Sequence, residues 1–295
     1  YSYPLAHMSK KELKTCAFRV IVYRKRIAVE IFHSLTDGNG GLIFFKSLIA
    51  EYLELKHKIE IPCEFGVLSR KEEPKDYELE DSFIKNSAPV KETRKDTDAW
   101  HIDGTPEENG FLNITNFQMS SDLIRSMARE KNVTVNTFLT AVLLKSILNL
   151  QFDIIKNPKK YKPVKVLVPI NMRLIFDSKT LRNFSLYTIP ELDPRLGDYS
   201  LDEIISIVHH KVGMYATKKN MSKMIETNVA DERVLALRLT PLIIKNMVMK
   251  LVFNAVGEKK SCLSFSNLGE IKLPEEMKKY IDRIDFILGS QAQAP

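Results

Sequence analysis

The chain has 295 residues, 44% of them hydrophobic, and a formal net charge of +7. That is enough apolar sequence to bury a large core, so we expect a globular protein of one large or two moderate lobes. The charge raises the question of nucleic-acid binding, but the basic residues are dispersed and no signature such as an RNP sequence or a paired CxxC is present. We therefore expect no nucleic-acid partner.

The three cysteines, Cys16, Cys63 and Cys262, argue against a disulfide-rich scaffold. They are an odd number at wide spacing and form no CxxC pair, a usage that favours a reducing compartment and disfavours a zinc finger. The most apolar long stretch, residues 239–256, contains two lysines and predicts a core helix rather than a transmembrane segment. We therefore expect a cytoplasmic protein without a membrane span.

The first elements in chain order are two strands and a helix. Apolar runs at 18–23 and 29–32 flank a basic turn and predict a β-hairpin. After it, apolar residues within 42–53 recur at spacings of three and four, the pattern of an amphipathic helix packed on a core. The three glycines within 38–41 predict a permissive corner between strand and helix.

His33 ends the second predicted strand, and Asp37 and Gly38 follow it, so that the segment reads HxxxDG. A strand that stops on a histidine and turns on Asp-Gly can hold an imidazole at the edge of a cleft. A free imidazole titrates at about pH 6.5, so its neutral form dominates at pH 7, as a general base requires. This context suggests an acyl-transfer site in which His33 takes a proton from an attacking hydroxyl or amine.

Other interpretations of the HxxxDG segment are weaker. A metal site needs three or four ligands, and no companion cluster of His, Cys or carboxylates lies near in sequence, so we expect no metal. The segment superficially resembles a calcium loop, but the alignment leaves His33, Leu35 and Phe44 where oxygen ligands belong. No GxSxG elbow supports a Ser-His-Asp hydrolase. A merely structural role for His33 stays open.

The remaining elements alternate between strand and helix. The charged, irregular segment 69–110 predicts a linker or crossover between an N-terminal part, 1–68, and a C-terminal part, 111–295. The patterns in the C-terminal part predict strands at 111–119, 164–171, 261–266 and 281–287, and helices at 121–131, 136–150, from 201 toward 215 and at 241–256. Strands interspersed with helices predict an α/β fold with mixed sheets.

The segment His33-Ser34-Leu35-Thr36-Asp37-Gly38 resembles the HxxxDG motif of the chloramphenicol acetyltransferase-like superfamily. That superfamily includes bacterial alcohol acetyltransferases, plant BAHD acyltransferases and the condensation domains of nonribosomal peptide synthetases. Four further segments follow in the order expected for the bacterial alcohol acetyltransferase branch: 133–139, 168–173, 181–184 and 264–269. The DFGWG element of the plant branch is absent, which disfavours that branch.

The resemblance implies a two-lobed chloramphenicol acetyltransferase-like fold with mixed sheets. It also implies that the chain is a fragment, since the portion before the hairpin and the last strands of the second lobe are expected but missing. Within the site, the resemblance assigns His33 as the base and Asp37 as a structural residue paired with an arginine.

Three further positions complete the expected site. Arg173 follows an apolar run and is the candidate partner of Asp37, since a guanidinium can grip a carboxylate bidentately; the alternative is a surface arginine. Ser264 and Ser266 share one face of a predicted strand. With Asn267 they could bind substrate and donate to an oxyanion, or form a solvated strand face ending in a turn.

The expected activity is transfer of an acyl group, in the first place acetyl, from coenzyme A to an alcohol or amine by direct attack. Acyl-CoA is then a co-substrate, and no permanently bound cofactor is needed. Two alternatives stay open. One is a condensation-type domain that takes donors bound to a carrier protein. The other is a non-catalytic relative that binds a ligand through the tunnel that acyl-CoA and acceptor share in the superfamily.

Overall fold

The computed structural model describes residues 5, 6, 8–87, 97–102, 104, 105, 107, 111–230, 240–252 and 258–289. It contains helices together with antiparallel and parallel strand pairs, so the predicted α/β class with mixed sheets is confirmed. Parts of the predicted segments 69–110 and 111–295 lie outside these described residues, as do 253–256 of the predicted helix. The domain boundaries stay predictions.

The N-terminal elements follow the predicted order. Helix α1 spans Lys10–Thr15, strand β1 Phe18–Tyr23 and strand β2 Arg26–Ile31, and the two strands pair antiparallel with Phe18 opposite Ile31. Helix α2 spans Gly38–His57. The predicted glycine corner is wrong, because the three glycines within 38–41 lie in the first turn of α2. Of the three, Gly40 is the one at which close packing leaves no room for a side chain.

A four-stranded sheet organises the C-terminal half around one long strand. Strand β3, Val164–Asn171, pairs antiparallel with β4, Ser185–Thr188, and with β5, Glu191–Leu192, and parallel with β6, Leu263–Ser264. Strand β3 matches the predicted strand at 164–171. Strand β6 covers only two residues of the strand predicted at 261–266.

Helices cover this sheet and close its core. Helices α3, α4 and α5 span Asp76–Leu79, Ser82–Lys85 and Ser121–Glu130; α6 and α7 span Val135–Ile154 and Arg173–Phe176; α8 and α9 span Leu201–Tyr215 and Lys218–Val229. Helix α6 starts after Thr134, whose hydroxyl caps it by accepting from the Thr137 amide at 3.1 Å. Leu144 and Leu148 on α6 are fully buried against Val166 of β3 and Ile204 of α8.

Helix α6 is also the one described helix that is long and apolar enough to cross a membrane, by length and composition alone. It carries Leu144 and Leu148 in the centre of the largest buried cluster. Because its apolar face is covered by β3 and α8, its composition is explained by packing in a protein core.

Three predicted elements of the C-terminal part differ from the structure. Residues 111–119 and 281–287 form no strand in the described part, although their apolar patterns predicted one. The stretch predicted as a core helix contains helix α10, Leu242–Val252, but Leu242, Met247 and Leu251 are each more than 60% exposed. The last helix in the described part of the chain is α11, Glu275–Lys278.

The three cysteines occupy different environments. Cys16 and Cys63 are exposed, whereas Cys262 is buried and its sulfur accepts from the Lys165 amide at 3.2 Å. Burial raises the pKa of the Cys262 thiol, so less thiolate is present at neutral pH. We expect iodoacetamide to alkylate Cys16 and Cys63 in the native protein and Cys262 only after denaturation, as read by peptide mass spectrometry. Alkylation of all three at one rate in the native protein would contradict this burial.

Candidate active site

The prediction that His33 ends the second strand is wrong: β2 ends at Ile31, and His33 lies two residues beyond it in an exposed turn. The Phe32 amide still donates to the Ala17 carbonyl at 2.8 Å, so the hairpin holds the chain up to the residue before His33. Asp37 then caps α2. The imidazole therefore sits on a short connection that is anchored at both ends.

Asp37 is buried and uses both carboxylate oxygens. Oδ1 accepts from the Asn39 and Gly40 amides, each at 3.1 Å, and so caps the first turn of α2. Oδ2 accepts from Arg173 Nη1 at 2.7 Å and from the Phe184 amide at 2.8 Å. With four donors around it, this carboxylate joins the loop after His33 to a second segment of the chain.

Arg173 is the predicted partner of Asp37, and it is 8% exposed. The pair is held by Nη1 alone, so the expected bidentate grip is wrong. The other guanidinium nitrogens serve the main chain instead: Nε donates to the Thr180 carbonyl at 2.7 Å and Nη2 to the Arg182 carbonyl at 2.6 Å. Arg173 therefore fixes the backbone of residues 180–182 as well as Asp37.

The loop around His33 docks directly on the segment that Arg173 fixes. The Thr36 hydroxyl donates to the Leu181 carbonyl at 2.6 Å. A Cβ on Gly40 would overlap this same carbonyl oxygen and the Thr36 hydroxyl. Gly40 is thus needed because two backbones approach closely, which is a role that the sequence did not suggest.

Helices α3 and α4 support the docked segment from the other side. The Leu181 amide donates to the Glu78 carbonyl at 2.8 Å, and the Thr180 hydroxyl to the Glu80 carbonyl at 2.8 Å. The rings of Phe83 and Phe184 meet edge to face with centroids 5.0 Å apart. Part of the segment predicted as an irregular crossover is therefore structured support for the site.

The predicted substrate-binding residues, Ser264, Ser266 and Asn267, belong to a segment that meets the HxxxDG loop through a different residue. Ser264 pairs with Leu167 in the sheet, and Asn267 Oδ1 accepts from the Gly269 amide at 2.8 Å in a turn. From this segment it is Leu268 that reaches the HxxxDG loop, where its Cδ2 lies 3.0 Å from the position of a Cβ on Gly38. The roles of Ser264, Ser266 and Asn267 stay predictions.

Sequence reasoning missed Asn183. Its side-chain nitrogen lies 3.3 Å from His33 Nδ1 and donates to the His33 carbonyl at 3.2 Å. The available signal was its place between Arg182 and Phe184, in a segment that resembles the acetyltransferases. A single asparagine in a loop belongs to no sequence pattern that could predict its contact with a histidine 150 residues away.

The described residues contain no group of three or more His, Cys, Asp or Glu side chains arranged to hold a metal ion. Among these residues His33 is exposed to solvent. Two cavities of about 190 and 390 Å³ lie elsewhere, the first against Phe83 and Val229 and the second against Ala99 and Lys259.

Comparison with known proteins gives structural neighbours only. No family model and no curated protein matches the chain. The first condensation domain of the CDA synthetase aligns with 66% of this chain and 42% of its own, at 13% identity and a TM-score of 0.37. TRI101 of F. sporotrichioides, solved with coenzyme A and T-2, aligns with 84% of this chain and 55% of its own, at 11% identity and a TM-score of 0.46.

A third neighbour is polyketide synthase associated protein 5 from Mycobacterium tuberculosis. It aligns with 85% of this chain and 59% of its own, at 12% identity and a TM-score of 0.42. The chain thus spans about half the length of these solved structures. With every TM-score below 0.5, these likenesses assign neither a family nor an activity to the chain.

Proposed function

We propose that the protein is an acyltransferase that moves an acyl group, with acetyl as the first candidate, from coenzyme A to an alcohol or amine. The observation that carries the proposal is the placement of His33, an exposed imidazole on a loop that a buried Asp37–Arg173 pair holds. The order of the acetyltransferase-like segments in the sequence supports the same reaction class. No permanently bound cofactor is required, because acyl-CoA is a co-substrate.

In the proposed reaction His33 is the general base. Its neutral ring takes the proton of the acceptor O–H or N–H as that oxygen or nitrogen attacks the thioester carbonyl. The tetrahedral oxyanion then collapses, the carbon–sulfur bond breaks, and the departing thiolate takes the proton from the imidazolium. The products are an ester or amide and free coenzyme A, and base catalysis of this kind contributes about 10²- to 10⁴-fold in rate.

The other expected residues act on binding and position. Asp37, Gly38 and Arg173 hold the loop that carries His33, and we propose Ser264, Ser266 and Asn267 as substrate contacts that donate to the oxyanion. Holding donor and acceptor side by side supplies much of the acceleration through proximity. We place this activity in the cytoplasm, where the exposed thiols of Cys16 and Cys63 would stay reduced.

The deciding experiment measures acetyl transfer from acetyl-CoA to pooled alcohols and amines by the full chain and by its His33→Ala variant. Acylated products are detected by mass spectrometry, because Cys16 and Cys63 would add to a free-thiol signal. We expect acceptor-dependent product that falls at least about a hundredfold in the variant, the low end of general-base effects. His209→Ala, which alters an exposed histidine on α8, is the matched control and keeps the activity.

Three results would overturn this proposal. Equal rates in the native protein and His33→Ala would remove His33 from the chemistry. Product formed only from a donor bound to a carrier protein, and from no acyl-CoA, would establish the condensation-type alternative. Coenzyme A binding without turnover of any donor would favour a non-catalytic relative.

A further inference from the structure

Asn183 lies between the two residues whose backbones the buried ion pair fixes. On one side the Arg182 carbonyl accepts from Arg173 Nη2 at 2.6 Å, and on the other the Phe184 amide donates to Asp37 Oδ2 at 2.8 Å. Both partners are less than a tenth exposed, so these bonds are shielded from water. The main chain at Asn183 is consequently set by Asp37 and Arg173 together.

The side chain of Asn183 is held as well, and it points at His33. Ser185 donates its hydroxyl proton to Asn183 Oδ1 at 3.2 Å. With Oδ1 turned to Ser185, the amide nitrogen faces His33: it donates to the His33 carbonyl at 3.2 Å and lies 3.3 Å from ring Nδ1. One amide group therefore contacts both the backbone and the ring of the candidate base.

We infer that Asn183 is the positioning residue for His33 and that it selects the tautomer of the neutral ring. An amide nitrogen carries two hydrogens and accepts none, so the ring atom that faces it must offer its lone pair. Nδ1 of His33 is then the acceptor, and Nε2 carries the proton. The Asp37–Arg173 pair acts on the imidazole through Asn183, because it fixes the backbone on both sides of that residue.

This tautomer matters for the proposed acyl transfer, on which the catalytic part of the inference rests. A base that works through Nε2 needs its proton on Nδ1, and Nδ1–H requires an acceptor in place of the amide nitrogen. Turning the Asn183 amide over presents Oδ1 to Nδ1–H and makes Ser185 the acceptor of an amide hydrogen, which its hydroxyl allows. The turn gives up the hydrogen bond to the His33 carbonyl, so the orientation in the structure is the resting one.

The test is the tautomer of His33, read from its side-chain ¹⁵N resonances in a pH series, at the high-pH plateau where these resonances stop changing. His33→Gln identifies the His33 signals by their loss. We expect the proton on Nε2 in the native protein. In Asn183→Asp the carboxylate can only accept, so we expect the proton to move to Nδ1, while the signals of His209 and His210 stay unchanged.

A proton on Nδ1 in the native protein would overturn the inference, and so would an unchanged His33 tautomer in a folded Asn183→Asp. Asn183→Ala gives a second route should Asn183→Asp not fold: without the amide no described residue donates to Nδ1, and we expect a measurable fraction of Nδ1–H. An unchanged tautomer in Asn183→Ala would contradict the inference as well.

Kinetics separate this inference from the proposed function. For acetyl transfer we expect Asn183→Ala to lower kcat by about a hundredfold, the size of effect seen when a catalytic group is misplaced by 1 Å. Asn183→Asp is expected to recover part of that loss, since it still holds the ring. If the tautomer responds as expected but no donor is turned over, the positioning role stands and the acyltransferase proposal fails.

Discussion

Replacing Arg173 with methionine is expected to lower the free energy of unfolding by about 3 to 5 kcal/mol. The substitution leaves the Asp37 carboxylate buried without its counter-charge, and removing one partner of a buried pair is more damaging than losing the pair outright. It also removes the donors to the Thr180 and Arg182 carbonyls. The measurement is urea unfolding of the native and variant chains, with the slope compared to verify that both unfold in the same way.

Arg195→Met is the matched control for this prediction. Arg195 also forms an ion pair, with Nη2 2.6 Å from Asp193 Oδ2, but its side chain is 62% exposed. Exposed pairs contribute little because water screens them and both side chains lose freedom. We therefore expect Arg195→Met to unfold close to the native protein. Equal losses in the two variants would show that the Asp37–Arg173 pair is not buried in solution.

A double-mutant cycle with Asp37→Asn tests whether the pair acts as a unit. Asparagine keeps an oxygen that can cap α2 but carries no charge. We expect the double variant to be less destabilised than the sum of the two single variants, because the uncompensated charge in Arg173→Met is no longer present. Additive losses would assign separate roles to Asp37 and Arg173.

The elements predicted best from the sequence are those whose apolar pattern lies within the element itself. Strands β1 and β2 and helix α2 follow apolar spacings that lie within each element, and the structure contains all three. Strand β1 has the predicted bounds, whereas β2 spans Arg26–Ile31 and α2 spans Gly38–His57. Residues 111–119 carry a similar alternation, yet Phe117 is 81% exposed and no strand forms in this described segment. A strand needs the backbone of a neighbour, and no pattern within one segment specifies that neighbour.

The residues of the candidate site likewise fall into those found from a local motif and those that only the folded structure identifies. The motif around His33 and Asp37 is contiguous and could be found in the sequence. The pairing of Asp37 with Arg173 needed a resemblance to a known family, since 136 residues separate them. Asn183 and Gly40 were missed, because each is explained by what it touches: a histidine ring in one case and the Leu181 carbonyl in the other. Such contacts exist only once the chain is folded.

Gly40→Ala is expected to destabilise the protein by about 1 to 3 kcal/mol, although alanine is normally the better residue in a helix. Gly40 lies in the first turn of α2, and an added methyl would overlap the Leu181 carbonyl oxygen and the Thr36 hydroxyl. Main chain on one side and a short side chain on the other leave no flexible end that could move away. The loop must therefore separate from the Leu181 segment, which breaks the Thr36–Leu181 hydrogen bond and displaces His33.

Gly213→Ala isolates this effect from helix propensity. Gly213 lies within α8, and no heavy atom lies within 4 Å of a Cβ added there. We expect Gly213→Ala to be neutral or to stabilise by up to about 1 kcal/mol, the usual gain from glycine to alanine in a helix. Opposite signs for the two variants in urea unfolding would mean that the His33 loop is docked on the Leu181 segment in solution. A gain in stability for both would mean that the two segments are apart, and the Asn183 contact to His33 would then lose its support.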